Sequence, residues 1–326
     1  MNDLNLNLSK ILHSRIGKKL IIFLKISISI LFLVFLFWKF GLKETIKNIS
    51  TISAFLIVLI LLIFLINLIL GSWKIFILFK ALKTKLNFFS LLKHYTISWF
   101  LSFFTPGKIG QFSLIYFLKK ERVKVGESSA VFVVDKIIGL ITLLLLSISG
   151  LFIFLKTSEA FKIVLISLFL IFFLSFASLS RVGKNLIKKN ILRKYSKVFV
   201  GFSKAESLIF KKKSLILKNF VMSIINWIIN AISVYILLVG FNQKISLFSV
   251  VSINAILSII SFIPISISGL GVREASAVFF FSKLGIKPVI VLTTFIFLSI
   301  MKYLCAVIVI IIFLNKRTLL TKISKK

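Results

Sequence analysis

Apolar residues fall along this chain in long unbroken runs, separated by short stretches rich in lysine. A run of about 18–27 residues crosses a ~30 Å hydrocarbon core at 1.5 Å per residue. A helix that is apolar on every side must be buried or sit in lipid. Six runs are therefore predicted as full spans, at 20–40, 52–71, 128–155, 161–180, 214–240 and 288–314. Two further apolar segments are interrupted. Residues 88–118 are broken at Thr105-Pro106-Gly107, and residues 247–285 at Pro264 and again at Gly269-Leu270-Gly271. Proline removes a backbone donor and glycine relaxes the helix, so each segment is predicted to be two helical pieces joined by unwound backbone. Such backbone survives at membrane depth only within protein or beside a water-filled cavity.

The basic residues decide whether the interrupted segments cross. If all eight segments cross once from a cytoplasmic N-terminus, loop 181–213 lands outside with its eleven basic residues. That violates the positive-inside rule. If each interrupted segment dips in and returns to its own side, every large basic loop becomes cytoplasmic. The expected fold is an all-α polytopic membrane protein with six full transmembrane helices and two re-entrant broken-helix hairpins. It forms one integral membrane domain over 1–326, with a cytoplasmic N-terminal segment at 1–19 and a cytoplasmic tail at 315–326. The protein is expected in the cell membrane. The order span, span, hairpin, span then occurs over 20–155 and again over 161–314 in the opposite sense, an inverted-topology repeat. From the start of the second span to the hairpin proline is 54 residues in one half (52 to 106) and 50 in the other (214 to 264). Many transporters are built this way, with the site where discontinuous helices meet near the midplane. The alternative is a generic helical bundle whose spacings coincide.

Composition agrees with lipid. Of 326 residues 59% are hydrophobic, and the mean hydropathy of +1.10 lies outside the range of a soluble domain. The net charge of +35, from 43 basic and 8 acidic residues, would suggest nucleic acid in a soluble protein. Here the lysines sit in short loops suited to an anionic lipid surface, and no nucleic-acid recognition pattern accompanies them. No nucleic-acid partner is expected. One cysteine, Cys305, and two histidines, His13 and His94, are too few for an internal disulfide or a metal cluster, and no cofactor is expected. The first apolar run is too long for a cleaved signal and reads as a retained anchor.

An ionisable side chain in hydrocarbon costs several kcal/mol unless it is paired, snorkels or lines a polar cavity. Only two acids, Asp135 and Glu274, fall within membrane segments, and Lys108, Lys136 and Arg273 accompany them in or beside the interrupted elements. Two roles fit. The acids can form structural ion pairs with Lys136 and Arg273, or the group can line a headgroup cavity in which Arg273 and Lys108 contact an anion. Arginine holds phosphate bidentately, and broken helices aim free N–H groups at negative charge. Gly107, Gly110, Gly269 and Gly271 would let backbone approach a ligand. Lys25, Lys39, Lys218 and Lys302 read as snorkelling from span ends. Asn226 and Asn230 share a helix face and either bond to neighbouring helices or line the cavity, packing being the favoured reading.

Two motifs give the chain a resemblance. The first is Thr105-Pro106-Gly107-Lys108-Ile109-Gly110-Gln111, followed by Asp135-Lys136-Ile137-Ile138-Gly139-Leu140. The second is Pro264 followed by Ser268-Gly269-Leu270-Gly271-Val272-Arg273-Glu274. Together they resemble the transmembrane region of lysylphosphatidylglycerol synthases and their stand-alone flippase-like relatives, over about residues 15–315. The chain departs from that pattern at Gln111, where many relatives carry an acid, and at Leu114, where a basic residue is often found. The resemblance implies a translocator of an anionic or aminoacylated phospholipid, or of an isoprenoid-linked lipid, with no catalytic residue of its own. Substrate would bind at Pro106, Gly107, Lys108, Gly110 and Gln111 of the first hairpin, and at Asp135 and Lys136 on the next span. In the second hairpin it would meet Pro264, Gly269, Gly271, Arg273 and Glu274. The alternative is the membrane part of a phosphatidylglycerol lysyltransferase or lipid-linked glycan assembly system. That role needs a separate synthase or glycosyltransferase, since loop 181–213 is too short to hold a tRNA. A third reading is a scaffold or an ion-coupled carrier of small solutes.

Overall fold

The computed structural model describes residues 15–154, 156–179 and 201–323. Most of the basic loop at 181–213, residues 1–14 and residues 324–326 lie outside that description. Among the described residues the regular structure is helical apart from one isolated two-residue bridge. In chain order come α1 (Arg15–Phe40), α2 (Leu42–Ser50), α3 (Ala54–Lys80), α4 (Phe88–Ser102) and a 3-10 turn (Ile109–Phe112). Then follow α5 (Ser113–Lys120), α6 (Val125–Phe154), α7 (Thr157–Leu179) and α8 (Phe202–Lys211). The chain continues with α9 (Lys213–Gly240), α10 (Leu247–Ile260), α11 (Val272–Ser282) and α12 (Pro288–Ile323).

Five of these, α1, α3, α6, α9 and α12, are long and apolar enough to cross a membrane. Helix α7, 23 residues long, corresponds to the remaining run, at 161–180. Outward-facing Leu31, Phe55, Phe169 and Phe172 are 66–74% exposed, a surface suited to acyl chains rather than water. The chain is a multi-pass membrane protein. Two helices overrun their apolar runs: α3 continues to Lys80 instead of stopping at 71, and α12 to Ile323 instead of 314.

The interrupted segments are hairpins. Helix α4 has 15 residues and α10 has 14, about 22 and 21 Å of helix, short of a ~30 Å core. Their return limbs, α5 and α11, pack back on the incoming limbs. In the first hairpin His94 Nε2 lies 2.8 Å from Glu121 Oε1, tying α4 to the end of α5.

The two halves repeat in detail. The turn into each hairpin has a left-handed residue, Lys83 or Asn242, four positions before a capping side chain, Asn87 or Ser246. The exit turns match as well. Arg122 and Gly285 are left-handed, and the next N–H bonds back five residues, Val123 to Leu118 O and Ile286 to Phe281 O. That is the Schellman geometry that ends a helix. Packing between the halves is reciprocal: α3 lies on α9, α6 on α10 and α12 on α4. The short helices follow the same exchange, α2 against α12 and α8 against α6. Generic bundles have no reason to exchange partners in this way.

The hairpin tips meet. Pro106 and Ile267 form an isolated antiparallel bridge, each preceding two left-handed residues, Gly107-Lys108 and Ser268-Gly269. Ile267 therefore holds the place of Pro106, and Pro264 stands three residues earlier. The proline-to-proline spacing that suggested the repeat compares positions that are not equivalent.

Candidate functional site

Each tip is held by side-chain bonds to unwound backbone. Thr105 Oγ1 accepts from Gly110 N at 2.7 Å, closing the first tip. At the second, Ser29 Oγ on α1 accepts from Ile267 N at 3.0 Å, and Glu274 Oε2 accepts from Gly271 N at 2.7 Å. Gly107, at φ 57, has Phe262 O where a side chain would begin: an added Cβ would lie 3.1 Å from that oxygen. Gly271, at φ 80, admits α1, since its Cβ would meet Phe32 and lie 2.9 Å from Ser29 O.

Behind the tips lies a cavity of about 140 Å³, walled by both hairpins and by α3, α6, α9 and α12. Lys74, Lys108, Lys136, Arg273 and Lys302 line it. A smaller cavity of about 60 Å³ adjoins it at the second tip and shares Lys108, Arg273 and Lys302. The contributions are matched between the halves. Lys108 and Arg273 follow the two breaks, and Lys136 and Lys302 lie on the helices after them.

The two membrane acids are already engaged. Asp135, fully buried, lies 2.9 Å from Lys74 Nζ and 3.6 Å from Lys136 Nζ, and accepts from Asn219 Nδ2 at 3.3 Å. Glu274 holds the start of α11. Lys108, Arg273 and Lys302 have no carboxylate within 4 Å among the described residues. They rest instead on ring faces. Lys108 Nζ is 4.8 Å from the Phe262 ring, Lys302 Nζ 5.6 Å from Phe64, and the Arg273 guanidinium 5.0 Å from Phe295. Arg273 Nη2 also donates to Asn254 Oδ1 at 3.3 Å.

The sequence-derived candidates divide into residues that line the cavities, residues that shape the tips, and Asp135. Lys108, Gln111, Lys136 and Arg273 line the main cavity, while Gly269 and Glu274 line the smaller one. Pro106, Gly107, Gly110, Pro264 and Gly271 shape the tips, and the close neighbours of these glycines are the chain's own atoms. Asp135 stands behind Lys74 and Lys136 and makes the ion pair, chiefly with Lys74. Lys74, three residues past the apolar run that ends at 71, lies on α3 at 7% exposure. Lys302 does not snorkel from a helix end. It sits fourteen residues into α12, about 21 Å along it, and lines the cavity. Asn226 packs as expected, donating to Asn67 O at 3.0 Å, but it also lines the cavity with Asn67 and Asn230.

The family model for the lysylphosphatidylglycerol synthase TM region matches residues 22–310. The chain belongs to that family. In this lysylphosphatidylglycerol synthase TM region protein the match takes in both hairpin tips and all five cavity cations. Its family name ties it to membrane lipid. Comparison with curated proteins and with solved structures yields no match.

Proposed function

We propose that the protein moves an anionic-headgroup lipid between bilayer leaflets, in the manner of a flippase. The candidates are an anionic or aminoacylated phospholipid, or an isoprenoid-linked lipid. The observation that carries this reading is the cavity behind two meeting hairpin tips, where Lys108, Arg273 and Lys302 have no carboxylate within 4 Å among the described residues. A charged headgroup entering hydrocarbon loses its water, and fixed cations in a polar pocket replace part of that solvation. The acyl or isoprenyl chains stay in the bilayer. Two halves in opposite orientation, packed reciprocally, rock to open the pocket to one leaflet and then the other. The chain has no nucleotide-binding motif, so a gradient drives the movement or it is passive. Both termini lie in the cytoplasm, and the protein resides in the cell membrane.

The family name favours a second reading, the membrane part of a lysyltransferase that works with a separate synthase. One preparation separates the two. Purified protein is reconstituted into vesicles carrying acyl-labelled phosphatidylglycerol or phosphatidic acid, and inner-leaflet lipid is followed by its exposure to an impermeant quencher. Translocation faster than in protein-free vesicles, slowed about tenfold or more by Arg273→Ala, supports the first reading. Wild-type rates equal to protein-free vesicles, for phosphatidylglycerol and for phosphatidic acid alike, overturn it. Lysyl transfer from charged tRNA by the purified chain alone overturns the need for a partner.

A further inference from the structure

We propose that the phosphate group this cavity takes carries more than one negative charge, as a phosphomonoester or pyrophosphate, and that an aminoacylated headgroup is a poor ligand. The inference rests on the translocation reading only for its transport arm.

Five basic side chains line the two cavities, against the carboxyl groups of Asp135 and Glu274, a formal excess of three positive charges when all are ionised. Both carboxylates already hold partners. Asp135 faces Lys74 and Lys136, and Glu274 is bonded to Gly271 N. A lysyl-bearing headgroup would bring cationic groups to a pocket whose two acids are already bonded and outnumbered by basic side chains. A phosphodiester such as phosphatidylglycerol brings one negative charge and leaves most of the excess in place. A phosphomonoester brings about 1.5 to 2 at neutral pH, with three acceptor oxygens, and a pyrophosphate brings more.

Donor geometry agrees with the charge. Arg273 offers a planar fork for two oxygens, while Lys108 and Lys302 are point charges that can reach the remaining oxygens. These three come from both halves of the chain and line the same two cavities, so one multiply charged group can engage all of them. Gln111 and Asn230 supply neutral polar lining in the larger space.

The test is a ligand series on purified full-length protein. Affinities are measured for short-chain phosphatidic acid, phosphatidylglycerol, lysylphosphatidylglycerol and inorganic pyrophosphate, and translocation is followed for acyl-labelled forms of the three lipids. Phosphatidic acid is expected to bind at least about tenfold more tightly than phosphatidylglycerol, with lysylphosphatidylglycerol weakest and pyrophosphate competing. Lys302→Met is expected to bring the ratio of the first two toward one. Equal affinities for phosphatidic acid and phosphatidylglycerol, or tightest binding of the lysyl lipid, overturn the proposal in the wild-type protein alone. Pyrophosphate binding without binding of phosphatidic acid keeps the charge assignment and overturns a lipid source. If phosphatidic acid binds best but no lipid crosses faster than in protein-free vesicles, the translocation reading fails and this one stands. If phosphatidylglycerol binds and crosses as well as phosphatidic acid, the reverse holds.

Discussion

Pro106 and Ile267, 161 positions apart in sequence, face each other as a backbone bridge pair at the tips of the two hairpins. Unwound backbone cannot be left open to lipid, and here each tip shelters the other. The cost of breaking two helices is thus met in part by contact between the halves, beside the bonds from Thr105, Ser29 and Glu274. A displacement of either half must disturb both tips, which couples the cavity behind them to the relative position of the halves.

The tip contact leaves little room at Gly107. Its φ of 57 disfavours a β-branched residue, and Phe262 O would lie 3.1 Å from a new Cβ. Gly107→Val is expected to destabilise the protein by about 1–3 kcal/mol, read as a lowered melting temperature in detergent. Gly139→Ala is the control: nothing lies within 4 Å of its added methyl, and alanine favours the helix. Equal melting temperatures for the two variants would remove the tight tip from the account.

Asp135 is expected to be the most sensitive acid. Asp135→Asn leaves Lys74, 7% exposed, beside a neutral group and removes the partner of Lys136. Losing one member of a buried pair costs about 3–5 kcal/mol, whereas replacing the pair with apolar residues is often close to neutral. The double variant Lys74→Met/Asp135→Leu should therefore be more stable than Asp135→Asn alone. Thermal unfolding of the set measures the coupling, and additive losses would argue against a shared ion pair.

The breaks at Pro106-Gly107 and at Gly269-Leu270-Gly271 were legible in the sequence because proline and glycine act on their own backbone. Asp135, Arg273 and Glu274 were legible because ionisable groups are rare in hydrocarbon. The partners were not. Lys74 lies three residues past the apolar run, and hydropathy alone does not tell a helix that continues to Lys80 from a loop. Lys302 was mistaken for a snorkelling residue because its rotation about α12, not its distance from the helix end, aims it at the cavity. The prolines misled for a related reason. Register between the tips is set by the left-handed pairs, and one of these, at Ser268, carries no sequence sign of its conformation.

Lys302→Met separates stability from binding. Without a ligand, Lys302 shares its cavities with Lys108 and Arg273 and has no carboxylate within 4 Å among the described residues. Replacing it with an apolar side chain of similar length removes repulsion and desolvation. The melting temperature of ligand-free protein is expected to hold or rise by about 2 °C, while stabilisation by added phosphatidic acid shrinks. A lower melting temperature in the ligand-free state would mean that Lys302 is structural.

Opposite orientation of the halves has a direct test in α2 and α8, which occupy corresponding places against α12 and α6. Ser50 on α2 and Ser207 on α8 are both exposed, and the native Cys305 is 2% exposed on α12. With Cys305 replaced by alanine, a cysteine at either position reports its side of the membrane. If α6 and α7 each cross once and the hairpins return to their own sides, Ser50→Cys reacts with an impermeant thiol reagent in intact cells. Ser207→Cys then reacts only after permeabilisation. That outcome also places the neighbouring lysine-rich segment against the anionic cytoplasmic leaflet, where it is electrostatically favoured. Labelling of both positions from the same side would make the halves parallel, and a rocking mechanism built on inversion would have no basis.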